Sequence, residues 1–554
     1  MMNHQQSAYL RLFTVLVAVA YMWGVLSVQH YIPSSMDFYV NAQVVGILAL
    51  AAVIGLAGYW SNATAKTTLL WALLSLLLLC QPLLNSIVYV DALLFPVACV
   101  VLCCLLASVV NRFSVREKVF FCQGMAWALL CAGVLTVMSQ LVQLFAIDEL
   151  LGFWVFKSDD NSLIGNIAQV NQAAFASILG MAAALYLFFS HAHRQYWRWA
   201  YFLVLCVLGM GVGLSISRGA LLMAVAVMGL GFCYRAPNLW LRFVYCIVIG
   251  AVLWLGYQIG TELLLAVKTS STTAVSRMVG ENSLLFRKYL LEEAWLAFSQ
   301  NWLTGIGWGN FKQFGLSHAE SITWFTVADH SHNVFAQIAA ELGVLGLAIL
   351  CGFIWLLLRQ IRLDMPTHHY FAYSVLVLLG MYSLSEYPLW FMRFLLLAAV
   401  FVAVIDEHFV QIVRVPRWLV VVLSVFLLLG SIFYVKQYGI YRDVAYMVQD
   451  DRPTDEEKMQ ALQNTPPVFG FSEYKELMFF ILQPPNMEYL SSHIQVGERV
   501  LAKYLDVSLM MKQANLLVLA GESDEADKLF RASCLFDRKA ECDNVAKFLQ
   551  TAAA

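Results

Sequence analysis

Between residues 12 and 435 the chain carries thirteen apolar runs: near 12–29, 42–60, 67–86, 90–110, 119–147, 173–190, 199–214, 219–234, 242–262, 333–358, 370–386, 393–408 and 418–435. About 20 mostly apolar residues suffice for a helix to cross the hydrocarbon core of a bilayer. Composition points the same way, with 61% hydrophobic and 13% charged residues over 554 positions, where an ordinary soluble chain has about 25% charged. Too few charges remain to cover a water-soluble globule. The same apolar content excludes disordered, collagen-like and small disulfide-rich classes. A net charge of −2 supplies no basic field for nucleic acid. The expected fold is all-α, a polytopic membrane protein in the lipid bilayer with about 13 transmembrane helices.

Orientation follows from Lys and Arg, which gather in cytoplasmic loops. With the N-terminus inside, the inner loops hold Lys66, Arg112, Arg116, Lys118, Arg194, Arg198, Arg235, Arg242, Arg359, Arg362, Arg414 and Arg417, whereas the short outer turns hold only Lys157, Arg218 and Arg393. The tail is then outside. The first run follows Arg11 with no small-residue cleavage site after it, and reads as a retained span. Three outer segments exceed simple turns: 148–172, a large loop 263–332, and the tail. This divides the chain into a membrane domain, 1–435, and a small helical C-terminal domain, 436–554. Within the tail, 505–550 reads as paired amphipathic helices similar to one tetratricopeptide-like hairpin. Most cysteines lie in apolar runs, where a thiol acts as a small hydrophobe. Cys534 and Cys542 lie in the polar tail and suit a disulfide if that tail faces an oxidising space.

Ionisable groups near a membrane are costly and mark function. On the outer side stand Arg218, Arg287, His330, His332, Glu386 and Arg393, all near span ends or the large loop. Guanidinium stays charged in low dielectric and grips phosphate with a two-pronged fork. The three arginines therefore suit a lipid-linked diphosphate, in binding and in stabilising its departure. Each also suits an interfacial anchor or an ion pair. A histidine beside them can deprotonate an acceptor hydroxyl. His330 and His332 fit a metal as well, but no further His or Cys converges in the large loop, so no metal is expected. These residues alone point to an outer-face enzyme or transporter for a polyprenyl-diphosphate-linked substrate.

Several segments resemble a known family. His332-Asn333, nine residues, Gly343, two residues and Gly346 match the H-N-x9-G-x-x-G pattern of bacterial O-antigen ligases and their relatives. Upstream, FRKYLLEEAWLAFSQNWLTGIGWGNF is similar to the family segment ending in a Gly-x-Gly-x-Gly turn, here Gly305, Gly307 and Gly309. GNIAQVNQ, residues 165–172, resembles the G-N-x-x-Q-P-N-Q segment of PglL-type protein O-oligosaccharyltransferases, with Val170 in place of the usual proline. SEYPLW, 385–390, resembles that group's segment after the large loop. The likeness covers roughly residues 150–440, and the soluble tail suits PglL-type enzymes better than the shorter lipopolysaccharide ligases.

The resemblance implies His332 as the catalytic residue; His330, which has no match in the family pattern, and Asn333 are expected behind it. It implies Arg218, Arg287 and, less directly, Arg393 on the diphosphate, and Gln169, Asn171, Gln172, Glu386 and Tyr387 on the acceptor or glycan side. Simpler roles compete: Asn171 and Gln172 suit capping the helix near 173, Tyr387 and Trp390 suit interfacial anchoring, and the glycines suit a tight turn that contacts nothing. The implied activity is en bloc transfer of a preassembled glycan from undecaprenyl diphosphate to Ser or Thr of an exported, type IV pilin-like protein, without cofactor or metal. The implied place is the bacterial inner membrane, with the site facing the periplasm. The alternatives are a lipopolysaccharide O-antigen ligase, an O-antigen polymerase and a lipid-linked glycan transporter.

Overall fold

The computed structural model describes residues 4–33, 37–59, 64–157, 162–190, 195–233, 239–268, 282–326, 328–362, 365–410 and 416–536. Among them the chain forms twenty α-helices. The membrane part comprises α1 (His4–Leu26), α2 (Phe38–Gly58), α3 (Lys66–Leu84), α4 (Leu94–Val110), α5 (Val115–Leu144), α6 (Val170–Ser190), α7 (Gln195–Ser215), α8 (Arg218–Cys233) and α9 (Leu239–Val267). After the large loop's α10 (Asn282–Gln300) and α11 (Phe311–Ser317) come α12 (Val334–Leu358), α13 (Thr367–Ser383), α14 (Met392–Ile405) and α15 (Arg417–Gln449). A two-residue antiparallel pairing joins Thr64–Ala65 to Phe409–Val410.

All thirteen expected runs fall on helices. Nine helices among the described residues are long and apolar enough to cross a membrane, and three more of the runs form shorter apolar helices at 199–215, 218–231 and 392–405. This is a multi-pass membrane protein. Its most enclosed span is α6, whose sequence AAFASILGMAAALYLF is buried all round. A helix apolar on every face belongs in the middle of a bundle, and the many alanines let α5 and α7 approach it closely. Small residues do the same between α7 and α9. A Cβ on Gly256 or Gly260 would fall onto the carbonyls of Cys206 or Met210, so bare backbone is what sets that packing distance.

The tail holds α16 (Asp455–Gln463), α17 (Ser472–Leu482), α18 (Leu490–Leu501), α19 (Val507–Leu519) and α20 (Ser523–Leu535). The expected hairpin is α19 and α20, turning at Gly521 with φ +81°. The expected return through 539–549, and Cys542 with it, lies outside the described residues. The last span does not stop near 435. It continues as one helix to Gln449 because its upper part has a second job: Tyr438, Tyr441, Val444 and Ala445 bury against Phe471, Tyr474 and Met478 of the tail. No proline interrupts it before Pro453. Asp91, just before α4, fastens the tail from below by accepting the amides of Gly470 (2.9 Å) and Ser472 (3.2 Å).

Candidate functional site

The start of α6, the start of α8, the start of α12 and the end of α13 meet at one end of the bundle. Glu386 stands at the centre. The turn that follows α13 carries it, with its amide bonded to the Tyr382 carbonyl at 2.9 Å. Pro388 then keeps the chain from resuming the helix, since the residue before a proline is pushed out of helical backbone, here Tyr387 at φ −119° and ψ 51°. Three side chains converge on its buried carboxylate. Oε1 accepts from Arg287 Nη2 on α10 and from Asn171 Nδ2 on α6, both at 3.0 Å. Oε2 lies 3.1 Å from His332 Nδ1. Asn171 in turn accepts from Ser217 Oγ at 2.9 Å, and Arg218 follows Ser217 as the first residue of α8.

Local sequence explains the presentation of His332. Its φ is +53°, a left-handed backbone costly for a residue with a Cβ. The turn is held on both sides. The Ser331 amide donates to Gln337 Oε1 at 2.6 Å. Asn333 caps α12, with Oδ1 accepting from the amides of Phe335 and Ala336 and Nδ2 donating to the Leu384 carbonyl. Ten residues on, α12 kinks at Gly343 (φ 62°, ψ −155°), where a Cβ would lie 2.5 Å from the backbone of Leu303. The Gly305–Gly309 turn docks there. Ile306 and Gly307 donate to the carbonyls of Ala340 and Glu341, and Gly309 N donates to Glu341 Oε1 at 2.9 Å. The three glycines, expected to contact nothing, thus lock the large loop onto α12.

A carboxylate oxygen can only accept, so His332 Nδ1 is the donor in that pair. In the neutral imidazole Nε2 then carries the lone pair, and it has no partner among the described residues. Arg287 likewise spends one N–H on Glu386 and is 38% exposed, leaving a fork that can take an anion. Tyr387 sits between the two histidines, parallel to His330 (4.5 Å, 14°) and edge-on to His332 (5.1 Å, 79°). Burial, then Glu386, then Asp329 push its phenol up to about 12, so it stays protonated. His330 is buried. That burial, with His332, Lys503 and Lys312 nearby, holds its imidazole well below the ordinary 6.5 and keeps it neutral.

Other expected site residues lie elsewhere. Arg393 is not brought to Glu386. It is 1% exposed and bonds Asp37 Oδ2 and the Gly24 carbonyl, both at 3.1 Å, and Gln172 Oε1 at 2.7 Å and 3.2 Å. Burial opposes ionisation of Asp37, yet the bonds from His30 and Arg393 outweigh it and hold its carboxyl below the ordinary range. Gln172 therefore faces this buried ion pair, one helix position away from Asn171. The cap on α6 is Gln169, whose Oε1 accepts from Gln172 N at 2.6 Å. Among the described residues no group of three or more His, Cys, Asp or Glu could hold a metal ion. Glu386 as a hub and Ser217 behind Asn171 were not foreseen. Their signals are a carboxylate next to a proline break and a hydroxyl beside a candidate arginine.

Residues 203–351 match the O-antigen ligase family model, and 370–547 match the model of the C-terminal part of virulence factor membrane-bound polymerases. The chain carries an O-antigen ligase domain followed by a polymerase C-terminal domain, a pairing consistent with the ligase family. The two matched regions lie side by side, one on each side of the turn before the helix at 367. The first holds Arg218, Arg287 and His332, and the second holds Glu386 and Tyr387. These domains support a membrane protein of the glycan-transferring ligase or polymerase kind. No curated protein matches the chain.

Proposed function

We propose that the protein is a protein O-oligosaccharyltransferase of a bacterial inner membrane, with its site on the periplasmic side. It moves a preassembled glycan from undecaprenyl diphosphate to Ser or Thr of an exported, pilin-like protein. The observation that carries the chemistry is the Glu386 carboxylate bonded to His332 on one oxygen and Arg287 on the other. Glu386 orients the imidazole and compensates its charge once it takes a proton, while Arg287 and Arg218 meet the diphosphate.

The acceptor O–H gives its proton to His332 Nε2, and the oxygen attacks the anomeric carbon. The bond from that carbon to the phosphate oxygen breaks, and polyprenyl diphosphate leaves with the electron pair. One displacement inverts the anomeric centre. Charge grows on the leaving diphosphate, where fixed cations stabilise the transition state more than the ground state. No metal or cofactor is called on. The soluble tail and the 165–172 segment support a protein as acceptor. The family names support a second reading, a lipopolysaccharide O-antigen ligase or an O-antigen polymerase.

The test is acceptor glycosylation in a host supplied with a lipid-linked glycan. Wild type should give a mass shift on the acceptor protein, and His332→Ala should lower it at least about 10²-fold. Full transfer by the variant would remove His332 from catalysis. Modified lipopolysaccharide with no modified protein would move the chain to the second reading. Donor accumulating on the inner leaflet would make it a transporter.

A further inference from the structure

A cavity of about 310 Å³ lies beside the Glu386 cluster, on the far side of His330 and Trp390. Its size lies at the lower end of small-molecule sites, roughly ten times the share of one water in the liquid. Two parts of the chain build it. The membrane helices α3, α4, α12 and α14 supply an apolar wall that includes Trp71, Leu78, Cys99, Phe353 and Leu395, and the tail closes it with Glu473, Lys503 and Tyr504.

Its other end is polar and already partly organised. Lys312 Nζ pairs with Asp329 Oδ1 at 2.7 Å and donates to the Lys503 carbonyl at 3.2 Å. Glu341 uses Oε1 on Gly309. Two buried atoms at this end have no hydrogen-bond partner, Glu341 Oε2 and His330 Nδ1, on residues 2% and 5% exposed. Buried polar atoms are normally satisfied, and an exception calls for an explanation. A ligand that reaches them supplies one.

Charge narrows the ligand. Three carboxyl groups, Asp329, Glu341 and Glu473, face two ammonium groups, Lys312 and Lys503, and Lys312 is already spent on Asp329. That leaves Lys503 as the one ammonium for an anionic head, whereas a diphosphate carries two or more charges and has Arg218 and Arg287 elsewhere. Hydroxyl groups both donate and accept, so they suit a carboxyl, an imidazole nitrogen and an ammonium together. The apolar wall suits a hydrocarbon chain. We propose that this cavity is a second ligand site, which takes an amphiphile with one hydrocarbon chain and an uncharged, hydroxyl-rich head of the alkyl-glycoside or glycolipid class.

This goes beyond the transfer reading, and its readout is binding, so either can fail without the other. The full chain in phospholipid nanodiscs is photolabelled with a decyl glucoside carrying a diazirine at the chain end, and adducts are mapped by mass spectrometry. Adducts are expected on cavity-facing positions of α3, α4 and α12. Decyl maltoside should compete about tenfold better than decyl phosphate, and maltose alone should not compete. Cys99→Trp, which fills the wall, should abolish those adducts. Should that variant misfold, Lys503→Met keeps the wall and the Glu341–Gly309 bond, and should weaken competition by decyl maltoside about three- to tenfold, the effect of one lost hydrogen bond. Equal or better competition by decyl phosphate would overturn the head assignment. Adducts spread over lipid-facing helices, or unchanged in both variants, would overturn the site.

Discussion

Glu386 and Arg393 are both buried ionised side chains in one short stretch, and they do opposite things. Glu386 holds groups whose remaining atoms face outward, His332 Nε2 and the rest of the Arg287 fork. Glu386→Gln keeps the size but cannot compensate an imidazolium. It should lower kcat for glycan transfer about 10²-fold or more and displace the limb of the pH profile that reports the base. A change in KM alone, with kcat and the profile intact, would reduce Glu386 to a binding role. Arg393 has its guanidinium enclosed by Asp37, Gly24 and Gln172. Removing one member of a buried pair strands the other, at about 3–5 kcal/mol. Arg393→Ala should therefore cost melting temperature and yield, read by thermal unfolding in detergent. A stable variant with a weakened donor KM would instead return Arg393 to the diphosphate. The sequence could not separate the two roles. A lone arginine in an outer turn reads the same whether it meets a ligand or an aspartate 356 positions away. Asn171 and Gln172 show the same limit: adjacent on α6, they point about 100° apart, one toward Glu386 and one toward Arg393.

Among the elements, the long apolar helices were legible because the lipid imposes one rule on all of them. The elements of the large loop were not, since they are specified by contacts with α12 and with each other. Glu293 on α10 illustrates this. It lies buried against Gly315 of α11, where a Cβ would come within 2.6 Å of its Oε1. Burial pushes its carboxyl from an ordinary 4.5 to about 8. The unfolded chain gives up this proton near 4.5 and the folded one keeps it until about 8, so stability falls as pH rises across that window. Glu293→Gln should flatten the decline, seen as a shallower slope of melting temperature against pH. An unchanged slope would mean that other groups set it. The histidine–asparagine pair and its downstream glycines were visible as a pattern. Their physical reasons, a strained turn, a cap and a docking kink, needed the chain folded.

For the whole molecule, the tail is a wall of the membrane part's cavity and is fastened to it at named points. Asp91 is the clearest of these, since its carboxylate serves two amides at the start of α17. Asp91→Ala should loosen the tail by about 1.5–3 kcal/mol, seen as faster limited proteolysis within 450–536 while the membrane part still melts as before. Equal proteolysis would mean that the aromatic contacts of α15 hold the tail unaided. The soluble composition of the tail was plain from sequence, but its attachment was not, because Asp91 and Ser472 lie 381 positions apart.

The unbroken α15 has one more consequence. Thirty-three residues at about 1.5 Å each make a rod of roughly 50 Å, against a hydrocarbon core of about 30 Å. The rod works as a mast: it fixes both the height and the compass bearing of everything mounted on its top. One inserted residue would swing the tail by about 100°, and a full turn would lift it by about 5.4 Å. The stem of this molecule can therefore change length only in near-whole turns, since any other step would carry Lys503 and Glu473 away from the rim they complete.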